Sequence, residues 1–128
     1  IVEIGARLGG GCITTHLVPL STGVNMVEAN IRIALGETPD LCKKYDKGAA
    51  IRFLQPLPGI FKSVEGVDEA RGISGVIEVG FMKKIGEVIP ELSNGLDRVG
   101  YVITQGNTRE EAVRLCGQAV KKIKFEMV

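Results

Sequence analysis

At 128 residues, the chain has room for one compact domain, or for a small domain joined to part of another. An apolar fraction of 45% provides a core and excludes a disordered chain. The 16 basic and 15 acidic residues nearly cancel, to +1, which speaks against a nucleic-acid partner. No apolar run approaches the roughly 20 residues that a membrane span needs. Cys12, Cys42 and Cys116 lie far apart and are odd in number, so neither a zinc site nor a disulfide framework is expected. They read as reduced thiols of a cytoplasmic protein. The opening Ile1-Val2-Glu3 has no initiator Met and no charged leader, so the chain is expected to be a piece of something longer.

In chain order, residues 1–4 form a strand-like stub, apolar except for Glu3. Gly5 and the run Gly9-Gly10-Gly11 follow, then a mixed loop through Pro19, with Ser21 and Thr22 as hydroxyls that could cap a helix. Val24, Val27, Ile31, Ala34 and Leu35 recur at helical spacing, and Gly36 and Pro39 stop the helix. Residues 49–54 are strand-like and end in the turn Gln55-Pro56-Leu57-Pro58-Gly59, after which 59–64 can form the returning strand. A short helix fits 67–72, with strands at 76–81 and 99–104. Thr108-Arg109-Glu110-Glu111 reads as a capping box opening a helix. Its apolar face is Ala112, Val113, Leu115, Cys116, Ala119, Val120 and Ile123, and Lys121, Lys122 and Lys124 sit near its negative end. A small antiparallel sheet packed with helices would bury that face, an α+β arrangement.

Chemistry concentrates at the start. In a strand, Glu3 projects opposite Val2 and Ile4. A carboxylate at a strand end beside a flexible glycine loop suits a hard cation such as Mg2+. Arg7 offers a planar fork that matches phosphate or carboxylate oxygens. Gly9 and Gly10 let backbone approach a ligand. Taken alone, Glu-x-x-x-Arg-x-Gly-Gly also fits solvated charges beside a glycine turn. It is no P-loop, because no Gly-Lys-Ser/Thr follows. His16, the single histidine, could orient a substrate carboxylate or act as a base, or be a loop residue bonded to backbone. Asn25 and Glu28 could face an acceptor site or simply lie on a helix surface. Arg52, Lys83 and Arg98 read as solvated or paired charges, and Cys12 has no evident activating base.

The ordered runs Val2-Glu3-Ile4-Gly5-Ala6-Arg7-Leu8-Gly9-Gly10, Ser21-Thr22-Gly23-Val24-Asn25 and Ile33-Ala34-Leu35-Gly36-Glu37 resemble the end of an ATP-grasp catalytic domain. Asp97-Arg98-Val99-Gly100-Tyr101-Val102-Ile103-Thr104, with Gly106, Thr108 and Glu110-Glu111-Ala112, resembles the closing strand and helix of its accessory domain. The resemblance implies the C-terminal piece of a carboxylate–amine ligase, with residues 1–38 ending the catalytic domain and 39–128 forming an accessory α+β domain. It also implies ATP, a carboxylate and an amine as substrates, Mg2+ on Glu3, and Arg7 against phosphate or an acyl phosphate. Gly9, Gly10 and His16 would then lie at the substrate. Many members have Asn two residues after the metal-binding Glu. Here that position is Gly5, which points to the amino-acid ligase branch, leaves a second metal ion in doubt, and speaks against a biotin-carboxylase-like subunit. On this view the chain is inactive alone, and apolar surface near residues 1–4 could drive a homodimer. The alternative is a non-catalytic accessory or interaction domain, with Glu3 and Arg7 as surface charges.

Overall fold

A computed structural model describes residues 4–128. Gly11 and Cys12 both adopt left-handed backbone, with φ of 60° and 64°, and turn the chain into a π-helical turn, Ile13–Leu17. Helix α1, Val18–Thr22, continues directly from it. The loop expected through Pro19 is therefore helical. Pro19 lies in the first turn of α1, where its missing N–H costs little. Ser21 and Thr22 do not cap the next helix. Their hydroxyls donate back to Leu17 and Val18 carbonyls at 2.7 Å each, closing α1 instead.

Helix α2, Met26–Ala34, is capped by Asn25, whose side chain accepts from the Glu28 N–H at 3.1 Å. It ends as the sequence predicts. Gly36 is left-handed at φ 80°, while Glu37 N–H donates to the Arg32 carbonyl and Gly36 N–H to that of Ile33. The expected apolar stripe is only partly buried. Of its residues only Val24 is buried; Val27, Ile31, Ala34 and Leu35 are exposed, and the helix buries Ala29 instead.

Two three-stranded antiparallel sheets follow, rather than the single sheet expected. The first orders β1 (Gly48–Leu54), β5 (Gly100–Gly106) and β3 (Val76–Phe81), with β5 central. The second orders β4 (Val88–Ile89), β2 (Gly59–Glu65) and β6 (Lys124–Met127). Strand β2 does not return along β1. Two prolines in the connection remove ladder donors, and β2 instead pairs with β4 and β6. Lys124 thus belongs to a strand, not to the helix end.

Helix α3 (Val67–Arg71) and helix α4 (Arg109–Lys122) cover the first sheet. Ala112, Cys116 and Ala119 of α4 are fully buried, Cys116 and Ala119 in one cluster with Leu54, Val79 and Val102, and their small size lets the helix approach closely. A second cluster forms around Phe61, Ile89 and Val99. Phe125 joins the two, with ring centroids 5.4 Å from Phe61 and 6.3 Å from Phe81. Glycines meet α4 at both ends. A Cβ on Gly48 would lie 2.0 Å from the Thr108 carbonyl oxygen, and one on Gly66 would lie 1.9 Å from that of Lys122. Thr108 caps α4 by accepting from Glu111 N–H at 3.1 Å, but the Glu111 carboxylate reaches Asn107 N–H, one residue earlier than a reciprocal box requires.

Candidate functional site

Glu3 lies outside the described residues. Ile4, the described end of the predicted strand stub, is not in a strand. Arg7 is exposed, and among the described residues its guanidinium donates only to the adjacent Leu8 carbonyl, at 3.1 Å. A guanidinium fork of this kind suits a phosphate or carboxylate.

The glycine run is shaped by the turn that follows it. The Gly10 carbonyl accepts from Ile13 N–H at 3.1 Å, and that of Cys12 accepts from both His16 and Leu17 N–H at 3.0 Å. A Cβ at Gly9 would touch Ile13 and Thr14 at 3.4 Å, whereas one at Gly10 would meet nothing within 4 Å. The conformationally demanding positions are Gly11 and Cys12, where φ is positive.

His16 leaves this turn toward the first sheet. Its Nδ1 lies 2.8 Å from Thr15 Oγ1, and its Nε2 lies 3.3 Å from Glu78 Oε2 on β3, an ion-pair distance once the ring is protonated. The other Glu78 oxygen accepts from the Tyr101 hydroxyl of β5 at 2.5 Å. That hydrogen bond, reinforced by partial burial and the Glu78 charge, pushes the Tyr101 phenol up to about 12. Burial, then the Glu78 charge, raises the Cys12 thiol, which keeps it protonated and unreactive. Cys12, His16, Glu78 and Tyr101 thus share one environment.

Sequence reasoning singled out His16 but neither Glu78 nor Tyr101 as site residues. The available signal was Glu78 itself, the one charge within the apolar strand Val76–Phe81. Tyr101 carries no such mark, since an aromatic residue in a strand needs no special reason. The structure shows no contact between Arg7 and this group. Asn25 and Glu28 take the helix-surface role: Asn25 is the cap, and Glu28 pairs with Arg32 at 2.8 Å. They line an open cleft of about 310 Å3 with Arg32, Asp40 and Lys44. Arg98 stacks on the Phe53 ring, 3.8 Å from its centroid. Among the described residues no group of three or more His, Cys, Asp or Glu side chains could hold a metal, and no helix is long and apolar enough to cross a membrane.

Residues 52–128 match the family model of the L-amino acid ligase C-terminal domain 2. The chain belongs to that family. The chain is also 29% identical, over 99% of its length, to the uncharacterized protein y4rH of Sinorhizobium fredii, of which it covers 27%. Among solved structures, it superposes on L-amino acid ligase from Bacillus licheniformis with a TM-score of 0.80, at 19% identity, covering 99% of this chain and 32% of that one. Phosphoribosylglycinamide synthetase from Anaerococcus prevotii gives a TM-score of 0.79 at 20% identity, over 95% of this chain and 32% of that one. The chain therefore spans about a third or less of these relatives. The α+β class and the predicted resemblance to the C-terminal region of an ATP-grasp ligase both hold.

Proposed function

We propose that this chain works as the C-terminal part of an ATP-dependent ligase that joins a carboxylate to an amine through an acyl phosphate. The match of residues 52–128 to an L-amino acid ligase domain carries this reading. The substrate carboxylate oxygen attacks the γ-phosphorus of ATP, and ADP leaves with the electron pair of the broken P–O bond. The amine nitrogen then attacks the acyl carbon, the C–O bond to phosphate breaks, and inorganic phosphate and a proton are released. Positioning and charge neutralisation dominate such chemistry.

Residues 1–38 supply the edge of the catalytic domain in this reading, and 39–128 the accessory domain. Arg7 neutralises charge on the transferring group or on the acyl phosphate, consistent with its exposure. Gly9 and Gly10 present backbone to the substrate, and the open space beside Gly10 is consistent with a ligand there. His16 stands at the end of the same turn. Glu3 would contribute one carboxylate oxygen to Mg2+, which when bound offsets phosphate charge. The described residues offer no cluster to complete its coordination, so the remaining ligands would come from outside them. ATP, a small carboxylate and an amine are the substrates. The location is cytoplasmic, in line with three free thiols.

ADP release by the full-length ligase, with candidate carboxylates and amino acids, tests the assignment. Glu3→Gln and Arg7→Ala each abolish turnover, and near-wild-type rates in either would overturn the role given to that residue. The 128-residue chain by itself shows no measurable ATP binding by calorimetry.

A further inference from the structure

Cys12 is the one non-glycine residue with a positive φ among the described residues, and a π-helical turn follows it immediately. Both are uncommon conformations that persist only where surrounding contacts enforce them. At the turn, backbone hydrogen bonds do so: Ile13 N–H to Gly10, His16 and Leu17 N–H to Cys12, and Val18 N–H to Ile13. Beyond it, the turn reaches the first sheet through His16 and the Glu78 carboxylate. Thr15 holds one ring nitrogen of His16 and Glu78 faces the other. Glu78 is itself held by the hydroxyl of Tyr101, a residue of the central strand of the sheet. A rigid sheet, one carboxylate and one imidazole therefore connect in series to the segment carrying Gly9, Gly10 and Gly11.

We propose that Glu78, held by Tyr101, is a positioning residue that fixes His16 and, through the Cys12 turn, the backbone of the glycine run that faces the substrate. The accessory sheet then sets active-site geometry. The placement of the run at substrate rests on the ligase reading above, but the mechanical connection does not. A half-exposed ion pair is worth little alone. Here the carboxylate is pre-oriented by a short hydrogen bond, so His16 does not have to order it.

Amide hydrogen exchange in the 128-residue chain tests the connection. Glu78→Ala speeds exchange at Ile13, His16 and Leu17 by about three- to tenfold, while Val102, Ile103 and Thr104 in the central strand keep their wild-type rates. Tyr101→Phe, which removes only a hydroxyl, moves the same three amides in the same direction. Glu78→Gln keeps an acceptor for Tyr101 and falls closer to wild type. Unchanged exchange at the three amides in both Glu78→Ala and Tyr101→Phe would overturn the proposal, as would equal acceleration across the whole sheet. In the full-length ligase, Glu78→Ala lowers kcat for ligation several-fold with the KM for ATP unchanged; an unchanged kcat would also overturn the positioning role. Absence of ligase turnover in the wild-type full-length protein would remove the ligase reading while the exchange result still judged the connection.

Discussion

Tyr101 and Glu78 make a sharp prediction at the level of single residues. The phenol is held up to about 12 from an ordinary value of 10, chiefly because its hydroxyl donates a hydrogen bond to the Glu78 carboxylate. The folded state therefore favours the neutral phenol. The stabilisation from this bond is complete below pH 10 and is lost as pH rises from 10 through 12. Tyrosinate absorbance, taken as the difference between wild type and Tyr101→Phe, has its midpoint near 12, and Glu78→Gln moves that midpoint down toward 10. A wild-type midpoint at 10 would contradict the hydrogen bond. His16 illustrates how far residue type goes in sequence. Its chemistry and its place after a glycine run were readable, but its partner lies 62 positions away on a strand, and single-residue patterns carry no information about such pairing.

Among the elements, α4 was the most legible. Its Thr108 cap and its apolar face follow from local spacing, and only Val113 of the predicted face remains exposed. Strands β3 and β5 were equally readable, because β-branched runs bounded by turns announce themselves. Strands β4 and β6 were missed. With two and four residues, they are too short for alternation to register, and tertiary pairing with β2 defines them. The stretch through Pro19 reads as loop, and Ser21 and Thr22 as a cap, because Pro19 and four hydroxyl residues obscure a helical segment that rests on β1. The ends of α4 are sensitive. Thr108→Ala removes its cap and costs about 1 kcal/mol in urea unfolding. Gly66→Ala costs more, since φ is 77° and the new methyl would fall on the Lys122 carbonyl.

Taken whole, strands and helices from residue 48 onward make an α+β body, with an N-terminal segment docked onto its first sheet at His16 and again where Gln105 donates to the Leu20 carbonyl at 2.6 Å. The class and family resemblance were legible because ordered motifs run along nearly the entire chain. The division of the strands between two sheets was not, since it depends on which edges meet in space. The ligase reading is tested most directly at its intermediate. Hydroxylamine intercepts an acyl phosphate directly, so the full-length protein supplied with ATP, Mg2+, a substrate carboxylate and hydroxylamine should form hydroxamate in step with ADP. Arg7→Ala should form none. ADP release without hydroxamate, or hydroxamate formation undiminished in Arg7→Ala, would contradict the account.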